Sequence, residues 1–303
     1  MLHIFILNAL SVKPWQSDEL REKIDKLNEQ NFLVFNSEYA GHEEILAKQI
    51  YDLFPEERIR FYVCGGTGTF RNVINNFMES NRIEFAEIPF GNTNDFLNVF
   101  EGEKDKFMDF DRMINGRVID CDYICSDVGI AHNTISVGFD TIPERILSGF
   151  PGLSVLGIRI VYLILGFFSV MFKSSFKANV VIDGVTYNGT FEEIIISKGN
   201  TFGAVLNLPG EVNLNDGMLT VNILRRKNFL SKLKGMLALL KKNNDKVLKY
   251  WQTIKAKDVS IITEKMLHFN FDGEIQICNH LNSVRTGTKP LKYVVPYDIG
   301  GVQ

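Results

Sequence analysis

The stretch RFYVCGGTGTFRNVINNF, residues 60–77, constrains the fold more than any other part of this 303-residue chain. Apolar residues run into a cluster of glycines, and apolar residues at helical spacing follow. A strand that turns through glycines into a helix places backbone N–H groups and a helix N-terminus around one point, which suits a phosphate group. Tight turns use the same residues, so the cluster alone leaves an ordinary turn open.

Short apolar segments around the glycine cluster indicate strands of the same sheet. We assign strands to residues 2–8, 60–64 and 85–89, where apolar residues end at polar or glycine positions. Two helical patterns lie between them, SDELREKIDKLNEQ and then GHEEILAKQIYDLF, whose apolar residues are at 45, 46, 50 and 53. Because strands and helices alternate, the sequence predicts a parallel sheet with its ligand site at the carboxyl ends of the strands.

A second glycine-bearing loop follows the strand at 85–89. Its sequence, IPFGNTNDF, offers four polar side chains in a row, Asn92, Thr93, Asn94 and Asp95. Two polar loops at one sheet edge indicate a ligand site more firmly than one loop does. Asp95 taken alone is also an ordinary helix N-cap.

The pattern changes from about residue 120, where alternating stretches such as ANVVIDGVTYNG and LHFNFDGE predict antiparallel strands. We therefore predict a parallel, Rossmann-like α/β domain at residues 1–122. A mostly antiparallel β-sandwich domain would follow at 123–289. The strand-like end of the chain, residues 290–303, could return to either domain.

Charge is distributed unevenly along the chain. The segment from Arg225 to Lys257 carries eleven Lys or Arg and one acid, a net +10, which leaves −13 for the rest of a chain whose net charge is −3. This asymmetry suggests a polyanionic partner, either a nucleic acid or an anionic membrane. Within the segment, FLSKLKGMLALLKK has an apolar stripe at 229, 230, 233, 236, 237 and 240. A helix of this kind packs on a sheet or rests on a membrane.

Residues 153–172, LSVLGIRIVYLILGFFSVMF, are almost long enough to span a bilayer. Arg159 and two glycines interrupt the segment, so we interpret it as a buried or surface-lying helix. The N-terminus lacks the basic flank and the cleavage site of a signal peptide, and the cysteines show no disulfide or zinc spacing. We expect a cytoplasmic protein, with a nucleic acid and an anionic membrane both open as partners of its basic segment.

Several motifs, taken in order, resemble the diacylglycerol kinase catalytic family. The segment NSEYAGHEEILA is followed by the GGTGT loop and by PFGNTNDF, and then by NTISVGFD, LPGEVNLNDGMLTV and FNFDGE. The resemblance covers most of the chain and rests on the order and spacing of the motifs together. It supports the two-domain fold, and it implies transfer of the γ-phosphate of ATP to a lipid hydroxyl, with Mg²⁺. By the same resemblance, residues 1–122 would be the nucleotide-binding domain, and residues 123–289 would be the domain that binds the lipid substrate and a metal.

The resemblance also implies roles for individual residues by motif position. Glu274 would be the general base that takes the hydroxyl proton. Asp95 would orient the loop and the metal-bound water network, which Asp120 would join. A structural Mg²⁺ would be held by one carboxylate and two carbonyls, those of Asp216, Asn213 and Met218. The nucleotide would be bound by Asn8, Ser37, Gly65, Gly66, Thr67, Gly68, Thr69, Asn92, Thr93 and Asn94.

Three departures from the family pattern surround the nucleotide positions. The glycine loop has Thr67 where the family usually has Asp, and a Thr hydroxyl can ligate Mg²⁺ but brings no negative charge. Asn8 is followed by ALSVK and not by Pro-x-Ser-Gly. The next helix reads Phe70-Arg71-Asn72-Val73 where the family has Leu-Asn-Glu-Val.

These departures keep two alternatives open beside the lipid kinase. One is a catalytically impaired relative that binds nucleotide or lipid, and the other is a soluble kinase similar to NAD kinase. The basic segment and the apolar helix favour a lipid at an anionic membrane over a dinucleotide, and we expect no nucleic-acid partner. A homodimer stays open.

Overall fold

The computed structural model describes residues 1–27, 31–91, 93–142, 146, 161, 164–165, 175–203, 206–226, 228–240 and 247–300. It divides into two compact units. The first unit comprises Met1–Cys121 with Lys289–Gln303, and the second comprises Asp122–Thr288.

Strands and helices are numbered here in chain order. The strands are β1 (Leu2–Leu7), β2 (Phe32–Asn36), β3 (Ile59–Cys64), β4 (Ile83–Ile88), β5 (Arg117–Cys121), β6 (Ile124–Cys125), β7 (Ile130–Ala131), β8 (Thr134–Gly138), β9 (Phe176–Ile182), β10 (Val185–Ser197), β11 (Thr201–Phe202), β12 (Leu206–Asn207), β13 (Leu219–Arg225), β14 (Gln252–Ala256), β15 (Val259–Phe271), β16 (Glu274–Thr286) and β17 (Leu291–Val295). The helices are α1 (Pro14–Leu27), α2 (His42–Leu53), α3 (Thr67–Ile74), α4 (Phe110–Ile114) and α5 (Phe229–Leu239).

The first unit is built on the predicted parallel sheet. Its strand order is β2-β1-β3-β4-β17-β5, and neighbours are parallel except at the β17–β5 edge. All six residues of β3 and of β4 are buried, as expected for strands covered on both faces. The last strand of the chain, β17, pairs with β4 and β5 and so belongs to this unit.

The helices of the first unit form where the sequence predicts them, but one face differs. In α2 the apolar positions at 45 and 53 are on the exposed side, with Ile45 44% and Leu53 69% exposed. The buried face carries Glu43, Ala47 and Ile50. The buried Glu43 carboxylate accepts a hydrogen bond from the Asn72 side chain at 3.1 Å, which explains a polar residue on the packed face.

The second unit is antiparallel, as predicted. Its main sheet runs β14-β13-β10-β8-β15-β16-β6-β7, and β9 pairs with both β10 and β15. The long strands β10 and β15 each contain a register shift, so one half of each strand pairs with β9 and the other half with β8. The buried side chains of these strands form one hydrophobic core.

Helix α5 packs through a different face from the predicted stripe. Ala238 and Leu239 are buried against Trp251, whose indole N–H donates to the Gly235 carbonyl at 3.2 Å. Leu230 and Leu237, both members of the apolar stripe, are 62% and 44% exposed. Gly235 lets the helix approach Trp251, so the packed face contains Gly235, Ala238 and Leu239 and leaves out Leu230 and Leu237.

Nearly all of the apolar segment at 153–172 lies outside the described residues. Within the described part of the chain, no helix has the length and hydropathy needed to cross a bilayer.

Candidate functional site

The glycine loop and the second polar loop lie against each other at the carboxyl edge of the parallel sheet. A Cβ on Gly91 would lie 2.3 Å from Gly66 Cα, and one on Gly65 would lie 2.7 Å from the Thr69 side chain. Neither position leaves space for a side chain. Gly91 is therefore required by the contact between the loops, and Gly65 by the packing of the glycine loop against Thr69.

Backbone and side-chain hydrogen bonds hold the two loops together. The Gly91 N–H donates to the Gly65 carbonyl at 2.8 Å, and the Asn94 side-chain amide donates to the same carbonyl at 2.9 Å. The Thr67 N–H donates to the Thr93 carbonyl at 2.9 Å. These bonds place Asn94 in the site as a bridge between the loops, and its side chain is buried.

The Thr67 hydroxyl is a further bridge. It donates to the Thr93 carbonyl at 3.2 Å and accepts from the Asp95 N–H at 3.2 Å. The side chain is buried, so both bonds replace bonds to water. The hydroxyl at the centre of the loop therefore orders the neighbouring loop, a role that a carboxylate could not fill because it has no proton to donate.

Three N–H groups at the start of α3 point to an anion site. The N–H groups of Gly66, Gly68 and Thr69 have no acceptor among the described residues, whereas that of Thr67 is used by Thr93. Unpaired N–H groups in the first turn of a helix carry the positive end of the helix dipole. Their presence after a buried strand is the geometry in which proteins bind phosphate groups.

Asn8 and Ser37 lie at the same edge, after β1 and β2. The Asn8 side-chain amide donates to Thr69 Oγ1 at 2.9 Å, and its carbonyl oxygen accepts from the Leu10 N–H at 2.9 Å. Ser37 Oγ accepts from the Ala9 N–H at 3.2 Å. Asn8 thus supports the glycine loop directly, although the segment after it has neither the proline nor the glycine of the family pattern.

A buried carboxylate, Glu87, lies beneath the second loop and was not singled out from the sequence. It accepts from the Asn94 side chain at 2.9 Å and from the Tyr293 hydroxyl at 3.2 Å. Burial, together with the nearby Glu87 charge, raises the pKa of Tyr293 well above its usual value. The phenol therefore stays protonated and continues to donate. Glu87 fixes Asn94, and Asn94 fixes the loop.

The structure separates two predicted catalytic carboxylates of the first unit. Asp95 is buried at the end of the second loop. Asp120 of β5 lies opposite Lys292 of β17 and accepts a hydrogen bond from Lys292 Nζ at 2.6 Å. The next residue of β17, Tyr293, pairs with Phe85, so Lys292 is level with the start of β4. Because β5 runs antiparallel to β17, Asp120 lies toward the opposite edge of the sheet. The prediction that it joins the Asp95 network is wrong. Asn92 lies outside the described residues.

In the second unit, Glu274 follows a tight hairpin between β15 and β16. Asp272 and Gly273 both have positive φ, 53° and 96°, as the two central residues of a type I′ turn require. The Asp272 carboxylate accepts from the backbone N–H groups of His132, Asn133 and Thr134 at 2.5 to 3.2 Å. These hydrogen bonds tie the tip of the hairpin to the start of β8 and the two residues before it. Glu274 itself is exposed.

The predicted structural Mg²⁺ site is contradicted by a lysine. Lys198 Nζ lies 2.9 Å from Asp216 Oδ1, 3.0 Å from the Met218 carbonyl and 3.0 Å from Asp122 Oδ2. Asn213 contributes its side chain to a local turn, accepting from the Asn215 N–H at 3.0 Å. An ammonium group among these oxygens repels a divalent cation, so Asp216, Asn213 and Met218 do not fit the metal assigned to them. No cluster of three His, Cys, Asp or Glu suited to a metal occurs in the described ranges.

The same lysine affects the ionisation of Asp216. Burial opposes the ionised form, but the hydrogen bond from Lys198 and that from the Met218 N–H outweigh it, and the pKa of Asp216 is lowered. Sequence reasoning missed Lys198 and Asp122. The spacing of the LNDG motif pointed to Asp216, but no local pattern marks a lysine one residue after a buried strand as its partner.

Similarity to known proteins agrees with this architecture. Residues 3–125 match the family described as Diacylglycerol kinase catalytic domain. The protein named "Putative lipid kinase YtlR" from Bacillus subtilis (strain 168) is 24% identical over 291 residues, 89% of this chain and 92% of its own. The diacylglycerol kinase of Staphylococcus carnosus (strain TM300) is 24% identical over 280 residues, 89% of this chain and 87% of that protein.

The fold is also that of a solved structure. The crystal structure of a diacylglycerol kinase from Bacillus anthracis str. Sterne superposes with a TM-score of 0.71 at 14% identity, covering 99% of this chain and 98% of that one. The predicted combination of a parallel α/β unit and an antiparallel β-rich unit is therefore confirmed.

Proposed function

We propose that the chain, whose residues 3–125 match the diacylglycerol kinase catalytic domain family, is an ATP-dependent lipid kinase. It transfers the γ-phosphate of ATP to a lipid hydroxyl such as that of diacylglycerol. The observation that carries the proposal is the set of N–H groups of Gly66, Gly68 and Thr69 at the start of α3, which have no acceptor among the described residues. A polyphosphate fits this site by charge and by donor geometry.

The transfer requires that the lipid hydroxyl lose its proton as it attacks. In this proposal the Glu274 carboxylate accepts the proton, the hydroxyl oxygen bonds to the γ-phosphorus, and the bond to the bridging oxygen of ADP breaks. The hairpin supports this role for Glu274, because the Asp272 carboxylate holds the turn by accepting from three backbone N–H groups. The exposure of Glu274 also leaves its carboxylate accessible to a substrate.

Mg²⁺ would accompany the nucleotide, and the residues of the first unit fit it only in part. Asp95 would supply one carboxylate beside the loops. Thr67 would supply no charge, and its hydroxyl is engaged with Thr93 and Asp95. When bound, the ion neutralises charge on the phosphates. With one carboxylate fewer than the family pattern, we expect a high Mg²⁺ requirement.

A lipid kinase must reach its substrate at a bilayer, and α5 offers a surface for this. Leu230 and Leu237 are exposed and lie about two turns apart on the same side of the helix, with the exposed Lys234 between them. This combination of leucines and lysine suits the interface of an anionic membrane. We propose that α5 contributes to peripheral membrane binding.

One observation favours the alternative of a catalytically impaired relative. The bridging role of Thr67 explains how the loop stays ordered without the family's carboxylate, so a well-ordered loop does not by itself require an active enzyme. An inactive protein of this kind would bind ATP through the same N–H groups and release it unchanged.

The test is a screen for transfer of radiolabelled γ-phosphate from ATP, with diacylglycerol, other lipid alcohols and NAD as separate acceptors. The proposal predicts a labelled lipid and no labelled dinucleotide. Calorimetric titration with ATP accompanies the screen. ATP binding without transfer to any acceptor would establish the impaired relative, and transfer to NAD alone would establish the soluble kinase. Absence of ATP binding would exclude both kinases.

A further inference from the structure

A buried lysine lies at the centre of the loop that was predicted to hold a metal ion. Lys198 directly follows β10, and its N–H donates to the Asn133 carbonyl at 2.9 Å, which anchors the residue's backbone. The side chain is 1% exposed. A lysine with so little exposure requires acceptors for all three N–H bonds of its ammonium group.

The ammonium group has three oxygen acceptors at hydrogen-bonding distance. They are Asp216 Oδ1 at 2.9 Å, Asp122 Oδ2 at 3.0 Å and the Met218 carbonyl at 3.0 Å. Three acceptors match the three donors, so Lys198 is fully satisfied. These oxygen types are also those that a hard divalent cation prefers.

The loop around the lysine is folded onto the same oxygens. Asp122 Oδ2 also accepts from the Gly217 N–H at 2.8 Å, and Asp216 Oδ1 also accepts from the Met218 N–H at 3.0 Å. The Asp122 N–H in turn donates to the Leu214 carbonyl at 2.6 Å. The conformation of the loop thus depends on oxygens whose charge Lys198 neutralises.

The charges of the cluster balance without a metal. Asp122 and Asp216 contribute two negative charges and Lys198 contributes one positive charge. Lys255 Nζ lies 3.5 Å from Asp216 Oδ2 and contributes the second. A divalent cation added to this cluster would leave an excess of two positive charges in a mostly buried site, which is unfavourable.

We infer that Lys198 is the resident cation of this loop, and that its ammonium group takes the place of a divalent metal ion. The second unit accordingly folds and keeps its stability without Mg²⁺ or Ca²⁺. Removal of the ammonium group would leave two carboxylates and one carbonyl around a vacated space. That set is suited to a divalent cation, so a Lys198 variant with a small side chain would acquire a metal dependence that the natural chain lacks.

Thermal unfolding without nucleotide tests the inference, and it reads stability, so its outcome is independent of whether the chain transfers phosphate. For the natural chain we expect the same Tm in EDTA, in millimolar Mg²⁺ and in millimolar Ca²⁺. For Lys198→Ala we expect a Tm lower by about 5–10 °C in EDTA, because the buried Asp122 carboxylate and the partly exposed Asp216 carboxylate lose their shared partner. Mg²⁺ or Ca²⁺ should restore a substantial part of that loss.

Two matched variants separate the lysine's charge from its volume. Lys198→Met keeps the length of the side chain without its charge, so it should be destabilised like the alanine variant but not recover with metal. Lys255→Ala removes the more exposed partner, and we expect a small change in Tm and no response to metal.

A rise in the Tm of the natural chain with Mg²⁺ or Ca²⁺ that disappears in Asp216→Asn would overturn the inference. An unchanged Tm in Lys198→Ala would also overturn it. If Lys198→Ala does not fold without metal, refolding in Ca²⁺ but not in EDTA supports the inference, whereas failure to refold in both contradicts it.

Discussion

The Thr67 hydroxyl accepts a hydrogen bond from the Asp95 N–H and donates one to the Thr93 carbonyl, and both distances are 3.2 Å. One neutral side chain thus connects the helix N-terminus of the glycine loop to the second loop. Thr67 and Asp95 are buried, so loss of the hydroxyl removes an acceptor from the Asp95 N–H and one of two donors from the Thr93 carbonyl, which keeps the Thr67 N–H.

Replacement of Thr67 by valine should therefore destabilise the first unit. Thr67→Val keeps the shape and removes both bonds, and we expect a loss of about 1–3 kcal/mol of unfolding free energy together with weaker ATP binding. Thr67→Ser keeps the hydroxyl and is the matched control, with most of the stability retained. Chemical denaturation and calorimetric titration with ATP measure the two effects. Equal stability of the valine and serine variants would show that the bridge contributes nothing.

The turn before Glu274 can be tested against a second turn of the same type. Asp272 and Asp183 both have positive φ and both precede a glycine in a hairpin. Asp272 is buried and accepts three N–H groups, whereas Asp183 accepts from those of Lys257 and Asp258 at the surface.

Alanine at positive φ introduces similar strain in both turns. The difference in unfolding free energy between the two variants therefore reports the contribution of the side-chain hydrogen bonds. We expect Asp272→Ala to lose about 3 kcal/mol or more and Asp183→Ala to lose about 1 kcal/mol. Denaturant titration of the two variants measures the difference. If Asp183→Ala were the less stable protein, the proposed support for Glu274 would be wrong.

The sequence predicts those features of the fold that depend on patterns within a short segment, and it does not predict contacts between distant segments. Alternation of apolar strands and amphipathic helices is local, and it predicted the parallel sheet and the meeting of the two loops at its edge. The direction of β5 is not local, because its partner β17 lies about 170 residues later. The misplacement of Asp120 follows from this.

The same reasoning explains the errors at Lys198 and on α5. The acceptors of Lys198 come from segments 76 and 18 residues away, and a lysine after EEIIIS is indistinguishable by sequence from one at the surface. On α5 the hydrophobic pattern favoured the leucines. The packed face instead follows Gly235, since a small residue permits the approach of Trp251.

Acid should destabilise the second unit through His132. This histidine is fully buried, and burial lowers its pKa from 6.5 to about 3. Its pKa is therefore lower in the folded state than in the unfolded state. The stability that neutral His132 provides is complete above pH 6.5 and is lost as the pH falls from 6.5 toward 3.

We expect the free energy of unfolding to fall by up to about 1.4 kcal/mol per pH unit on account of this residue in that range. Urea titrations between pH 7 and pH 5 measure the slope. His132→Asn should reduce the slope, and His280→Asn, at an exposed histidine, should leave it unchanged. Identical slopes in all three proteins would remove His132 from the acid response.

Membrane binding by α5 should depend on both leucines and charge. We expect the double variant Leu230→Ser, Leu237→Ser to bind anionic vesicles at least about tenfold more weakly. Each leucine contributes about 1–2 kcal/mol to binding when it inserts into the membrane interface. Lys234→Glu should weaken binding at low salt more than at high salt. Ile262→Ser, at a residue that is 50% exposed, is the matched control. Vesicle co-sedimentation measures each affinity, and equal binding by the double variant and the control would contradict a role for α5.

The proposed lipid kinase is tested most directly by the initial rate of phosphate transfer from radiolabelled ATP to diacylglycerol, measured for the natural chain and for Glu274→Gln. We predict transfer by the natural chain and a rate about 10²–10⁴-fold lower in the variant, with calorimetric ATP affinity unchanged. Glu264→Gln, at an exposed carboxylate paired with Lys177, should keep the natural rate. No transfer by a natural chain that binds ATP would contradict the kinase, and a near-normal rate in Glu274→Gln would exclude Glu274 as its base.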